Sequence, residues 1–114
     1  MKDCIFCRIV AKQIPSQVVY EDSEILAFRD IHPMAPVHVL FVPKAHVFSV
    51  QDLGPKRAGL VVRMVLAAKK IAKAEGLAER GYRLSINTGP EGGQLVPHLH
   101  MHLLGGRRLD DKLG

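Results

Sequence analysis

The stretch Pro97-His98-Leu99-His100-Met101-His102-Leu103-Leu104 alternates histidine and apolar residues from His98 onward. A period of two belongs to a strand. Successive side chains leave opposite faces, so His98, His100 and His102 share one face at intervals of about 6.8 Å, and Leu99, Met101 and Leu103 share the other. On a helix the same spacing would splay the imidazoles over more than half the circumference, and Pro97 pushes its predecessor toward extended backbone. A lone histidine on an apolar element is more often a satisfied core residue, whereas three on one face point to chemistry. Neighbouring imidazoles disfavour each other's charge, so at neutral pH at least one is a neutral base or nucleophile. Alternate histidines on a strand can also share one zinc ion with a third ligand from elsewhere. The strand by itself leaves both readings open.

Working outward, Tyr82 to Asn87 alternates well enough for a partner strand, and the glycine-rich Thr88 to Gln94 between the two should be a loop beside the histidines. Upstream, Pro55 to Glu75 carries Val61, Met64, Val65, Ala68 and Ala72 at helical spacing, with Pro55 suited to a first turn and Gly76 to a C-terminal cap. This is the one long helix, about 30 Å of it, and its Met and Ala stripe reads as core. Val37 to Val42 is almost wholly apolar or β-branched and reads as a buried strand closed by Pro43. Val18 to Tyr20 and Ile25 to Phe28 flank Asp22-Ser23 as a hairpin, Asp30 to Pro36 is a proline-marked loop, and Cys4 to Lys12 is a short helical turn ended by Ile14-Pro15-Ser16. Only the tail, Arg107 to Gly114, is polar enough to be loose. The expected architecture is one α+β domain spanning 1–114: a mainly antiparallel sheet of about five strands, one long helix against a face, a short N-terminal helix, and the histidine strand open to a cleft.

Composition bounds what the domain can be. At 114 residues, 47% of them apolar, the chain has room for one core of normal size. Two cysteines close together as Cys4-Ile5-Phe6-Cys7 are unlike a disulfide scaffold, and a reducing, cytoplasmic setting is the simpler reading. No apolar run approaches the roughly 20 residues of a membrane span, and Met1-Lys2-Asp3-Cys4 lacks the regions of a signal peptide. A net charge of +5 favours anionic ligands in general. No nucleic-acid motif accompanies it, and with four Phe, two Tyr and no Trp, base-stacking platforms for single strands are poorly supplied.

The heptad His98-Leu99-His100-Met101-His102-Leu103-Leu104 resembles the signature of the histidine triad (HIT) family, in which histidines alternate with apolar residues. Ile31-His32-Pro33-Met34-Ala35-Pro36-Val37-His38, Val42-Pro43-Lys44-Ala45-His46, Asn87-Thr88-Gly89, Gly92-Gly93-Gln94 and Leu104-Gly105-Gly106-Arg107 resemble, in order, the Hint branch of that family, so that the resemblance covers nearly the whole chain. It implies a HIT-like fold, a homodimer and a purine nucleoside phosphoramidase-like hydrolase that releases AMP or GMP. By the same resemblance His100 is the nucleophile that forms a nucleotidyl-histidine intermediate, and His102 contacts the α-phosphate or the leaving group. A physical argument supports the first role: a neutral imidazole is nucleophilic at pH 7 if its other ring nitrogen keeps its proton against an acceptor such as a backbone carbonyl. A neighbouring imidazolium would suit a departing amine.

For the rest of the nucleotide, the resemblance points to Asn87 and Gln94 as hydrogen-bond donors to phosphate oxygens and to Asp30 as a ribose-binding carboxylate. Glycines such as Gly93 permit close backbone approach to an anion, though a glycine loop is more often only a turn, and Asp30 can equally be an ordinary turn cap. Some family members that carry the N-terminal cysteine pair bind zinc with it; the matching positions are Cys4, Cys7, His46 and His98, a closed set that would make the metal structural. The plain alternative is two buried free thiols. Two departures bear on substrate choice: Leu95 stands where many Hint enzymes have serine, and the tail lacks the aromatic ending of animal relatives. Other readings are dinucleoside polyphosphate hydrolysis, a nucleotide-binding regulator with little turnover, and a zinc protein that uses all three triad histidines.

Overall fold

A computed structural model describes residues 3–114. Five strands form one antiparallel sheet in the order β1-β2-β3-β5-β4, with β1 at Val18–Glu21, β2 at Ile25–Arg29, β3 at Val37–Pro43, β4 at Arg83–Ser85 and β5 at Met101–Gly105. Helix α1 spans Ile5–Val10 and helix α2 spans Gly59–Ala74. The α+β architecture expected from the sequence is the one present. The β1-β2 hairpin forms around Asp22, whose Oδ1 accepts from the backbone N–H groups of Glu24 and Ile25, both at 2.8 Å.

Both faces of the central strands are buried, which is why β2 and β3 read as continuous apolar runs. Ile25, Ala27, Val39, Phe41, Met101 and Leu103 face α2, where they meet Leu60, Met64, Ala67, Ala68, Ile71 and Ala72. Leu26, Phe28, Leu40 and Val42 face the other way, against Phe6 and Ile9 of α1. The histidines lie on this second face, so α1 is part of the site's surroundings.

Two elements differ from expectation. The long helix begins later: Pro55–Arg57 is a separate 3₁₀ turn before Gly59–Ala74. Pro55 does start its turn, but glycines at 54 and 59 weaken helix propagation through this stretch. The C-terminal end is as expected, with Gly76 in the left-handed region at φ +76°. Strand β5 starts at Met101, three residues after His98, because the backbone N–H of Leu99 bonds to the Val47 carbonyl at 2.6 Å rather than to a neighbouring strand. Alternation still holds through the segment. Leu99, Met101 and Leu103 are all buried in the α2-side core. No helix among the described residues is long and apolar enough to cross a membrane.

Candidate functional site

The three triad histidines point to one face but differ in access. His98 is fully buried, His100 is 6% exposed and His102 is half-buried, so the histidine strand opens to solvent only toward its C-terminal part. Phe6 of α1 closes the other part, with its ring 5.8 Å from that of His98 and 5.1 Å from that of His100. His100 Nδ1 donates to the carbonyl of His98 at 2.7 Å. A carbonyl can only accept, so that nitrogen carries a proton, and in the neutral ring Nε2 holds the free lone pair. The His102 ring lies 5.1 Å from it.

A fourth histidine joins them. Register pairs Leu40 with His102, which sets His38 diagonally across from His102 on the same face of the sheet. His38 Nε2 is 2.9 Å from His102 Nδ1 and 3.4 Å from Asp30 Oδ2. Sequence reasoning missed this role, since a single histidine in an apolar strand reads as core. Burial holds His38 below its ordinary value against the opposing pull of Asp30. Burial also lowers His102, to about 4, with the neighbouring His100 and His38 acting in the same direction. In the free protein, therefore, the imidazolium suited to a departing amine is not preformed at His102.

Asp30 does cap a turn: its Oδ1 accepts from the His32 N–H at 2.8 Å. Its other oxygen faces His38, and a carboxylate has lone pairs left for further donors. In the glycine loop, Asn87 Nδ2 donates to the Gly92 carbonyl at 2.6 Å. Gln94 accepts from the Gly89 N–H at 2.9 Å and donates to the carbonyls of Phe48 at 2.6 Å and Val96 at 3.0 Å. Both amides thus hold the loop in shape, and reaching a phosphate would require them to exchange these partners. Gly89 and Gly93 take left-handed conformations at φ +72° and +80°. A cavity of about 310 Å³ lies beside this loop, lined by Phe48, Ser49, Gly89, Pro90, Gln94, Leu95 and Pro97. Leu95 is 91% exposed at its edge.

On the buried side, Cys4, Cys7, His46 and His98 bring one ligand atom each to within 4.8 Å of one another. The Cys4 Sγ to His98 Nδ1 distance is 3.2 Å and that from Cys7 Sγ to His46 Nδ1 is 3.1 Å. Two observations bear on whether a metal fits. The Pro43 carbonyl takes a hydrogen bond from His98 Nε2 at 2.9 Å, which turns the bare Nδ1 lone pair toward the thiols. Buried His46 Nε2 has no hydrogen-bond partner, so the ring has no polar anchor other than the cluster. Burial holds the Cys7 thiol up and pushes His98 down to about 4. Two thiols and two imidazoles fit a tetrahedral zinc, which would displace the thiol protons.

The sheet thus carries histidines on alternate positions of one face, beside a glycine loop and a Cys2His2 set. The chain belongs to the HIT family: it matches the HIT domain over residues 11–109. It is 47% identical over 112 residues to the purine nucleoside phosphoramidase of Escherichia coli K12, covering 98% of this chain and 94% of that one. It is 46% identical over 113 residues to a 14 kDa zinc-binding protein of Brassica juncea, covering 95% and 96%. Among solved structures, a HIT family hydrolase from Legionella pneumophila Philadelphia 1 superposes with a TM-score of 0.95 at 48% identity, covering 98% of this chain and all of that one.

Proposed function

We propose that this protein is a hydrolase of purine nucleoside phosphoramidates, acting at the α-phosphate through a covalent intermediate on His100. The observation that carries this reading is the His100 to His98 carbonyl bond at 2.7 Å, which fixes the proton on Nδ1 and leaves Nε2 nucleophilic without deprotonation. In the first step the Nε2–P bond forms and the P–N bond breaks, the leaving nitrogen taking up a proton from solvent as it departs as the amine. In the second, water attacks phosphorus and gives up a proton to solvent, the Nε2–P bond breaks, His100 returns to its neutral form and AMP or GMP leaves. His102 sits next along the strand and presents its ring edge to the α-phosphate or the leaving group. Asn87, Gly93 and Gln94 line the phosphate side, and Asp30 is the carboxylate for the ribose.

Zinc belongs at Cys4, Cys7, His46 and His98, where it would tie the N-terminal segment to the triad strand. A closed four-ligand set offers no position for substrate, so His98 is a structural ligand and the chemistry stays with His100 and His102. The unpaired thiols of Cys4 and Cys7 fit a cytoplasmic setting. A homodimer is supported by the exposed apolar residues Val62, Val65 and Leu66 on α2 and by β4, which has a partner on one side only.

The test is hydrolysis of an adenosine phosphoramidate by the wild type and by His100→Ala, with zinc measured on both. Turnover lost and zinc retained is the expected result. Binding of AMP without turnover by the wild type would favour a regulatory nucleotide-binding protein, preferential cleavage of a dinucleoside polyphosphate would move the substrate class, and loss of zinc with His100 would make the triad a metal site.

A further inference from the structure

Two groups of side chains on the histidine face gather their ligand atoms within 4.8 Å: Cys4, Cys7, His46 and His98, and separately Asp30, His38 and His102. Two imidazoles and a carboxylate are a competent set for zinc and other divalent transition metals. A cation in the second group would sit on His102, inside the site proposed above. Backbone geometry, however, turns the imidazole proton out of the first group and into the second.

In the first group the Pro43 carbonyl holds the His98 proton on Nε2 and leaves Nδ1 bare toward the thiols. In the second, the backbone N–H of Met34 donates to His38 Nδ1 at 3.0 Å. A ring nitrogen that accepts a hydrogen bond carries no proton, so neutral His38 keeps its proton on Nε2. That Nε2–H points at His102 Nδ1, 2.9 Å away, which makes Nδ1 of His102 an acceptor and puts the His102 proton on its own Nε2. The peptide unit that follows this amide is anchored as well, because Arg107 Nη2 donates to the Met34 carbonyl at 2.9 Å. His38 is 5% exposed, so water does not readily replace these partners.

We infer that the backbone amide of Met34 is a positioning group that keeps Asp30, His38 and His102 a directed hydrogen-bond chain, closed to metal, and holds His102 as an Nε2–H donor. For a cation to take His38 Nε2, the proton there must leave. Moving it to Nδ1 sets two N–H groups head to head, and discarding it makes an imidazolate beside the Asp30 carboxylate. Neither cost applies to His98. The use of the His102 Nε2–H toward a phosphate rests on the function proposed above; the proton order and the exclusion of metal do not.

Two measurements on the wild type test this without reference to turnover. Long-range ¹H–¹⁵N correlation spectra of the histidine-labelled protein at neutral pH should show His38 and His102 both protonated at Nε2 and unprotonated at Nδ1. Titration with zinc alone should show no binding component that disappears in His38→Asn. Met34→Pro removes the N–H while the side chain it replaces is 69% exposed; this variant should gain a second zinc equivalent that His38→Asn abolishes in the same background. A wild-type His38 protonated at Nδ1, a His38-dependent zinc site in the wild type, or a folded Met34→Pro protein with unchanged tautomers and stoichiometry would each overturn the inference. The first two readouts stand even if Met34→Pro does not fold.

Discussion

Replacing His102 by asparagine should flatten the acid side of the stability curve. The imidazole of His102 is depressed from its ordinary 6.5 to about 4, first by burial and then by its histidine neighbours. In the unfolded chain it binds its proton near the ordinary value. Between those two pH values the unfolded state holds more protons than the folded one, so folding stability is unaffected above 6.5 and declines as the pH falls toward 4. At about 1.36 kcal/mol per pH unit the gap is worth roughly 3 kcal/mol. Because one edge of the half-buried ring still meets water, this is an upper figure. Asparagine keeps an acceptor for the His38 Nε2–H and has no proton to take up. Urea unfolding followed by far-ultraviolet circular dichroism suits a chain without tryptophan. Run at steps from pH 7 to 4, with zinc held at the same occupancy in both proteins, the wild type should lose up to that much more stability than the variant. Parallel curves for the two proteins would refute the argument.

Met64→Ala empties a fully buried position between α2 and the sheet and should cost about 2–5 kcal/mol in the same unfolding assay, with zinc content unchanged. Gly92→Ala drives a Cβ into the Thr88 carbonyl; it should lower turnover about tenfold or more by shifting the glycine loop, while a thermal melt moves far less. Cys7→Ser should lower bound zinc, read by elemental analysis, and lower the melting temperature, whereas the same assays on Leu95→Ser should show neither change. Leu95→Ser should instead alter the ranking of leaving groups in kcat/KM, since the side chain is almost wholly exposed beside the loop cavity and contributes within about 0.5 kcal/mol to stability.

Legibility in the sequence followed the physics of each element. The hairpin of β1 and β2, the buried β3 and the α2-side packing of Leu99, Met101 and Leu103 all depend on local side-chain period, and local period is visible in a single chain. The start of α2 was not, because an apolar stripe continues across a 3₁₀ turn as readily as across a helix. Nor was the late start of β5, which is decided by where one amide, that of Leu99, finds its acceptor on a distant loop. The same distinction holds at the site. Alternation marked His98, His100 and His102, but the pairing of His38 with His102 depends on strand register and spans 64 positions. Asn87 and Gln94 stood out only through the family resemblance, and the carbonyls they hold emerge only in three dimensions.

The Cys2His2 set joins the two ends of the chain's own history. Cys4 and His98 lie 94 positions apart yet sit 3.2 Å from one another. Closing a loop of roughly 100 residues removes about 4.7 kcal/mol of freedom from an unfolded chain in the simple entropic picture, so a cation held there acts as a clasp on nearly the whole polypeptide. During synthesis the cysteines and His46 emerge long before the fourth ligand. Such a clasp could shut only when the triad strand has been made, so that a metal held there would report on completion of the very strand that carries His100.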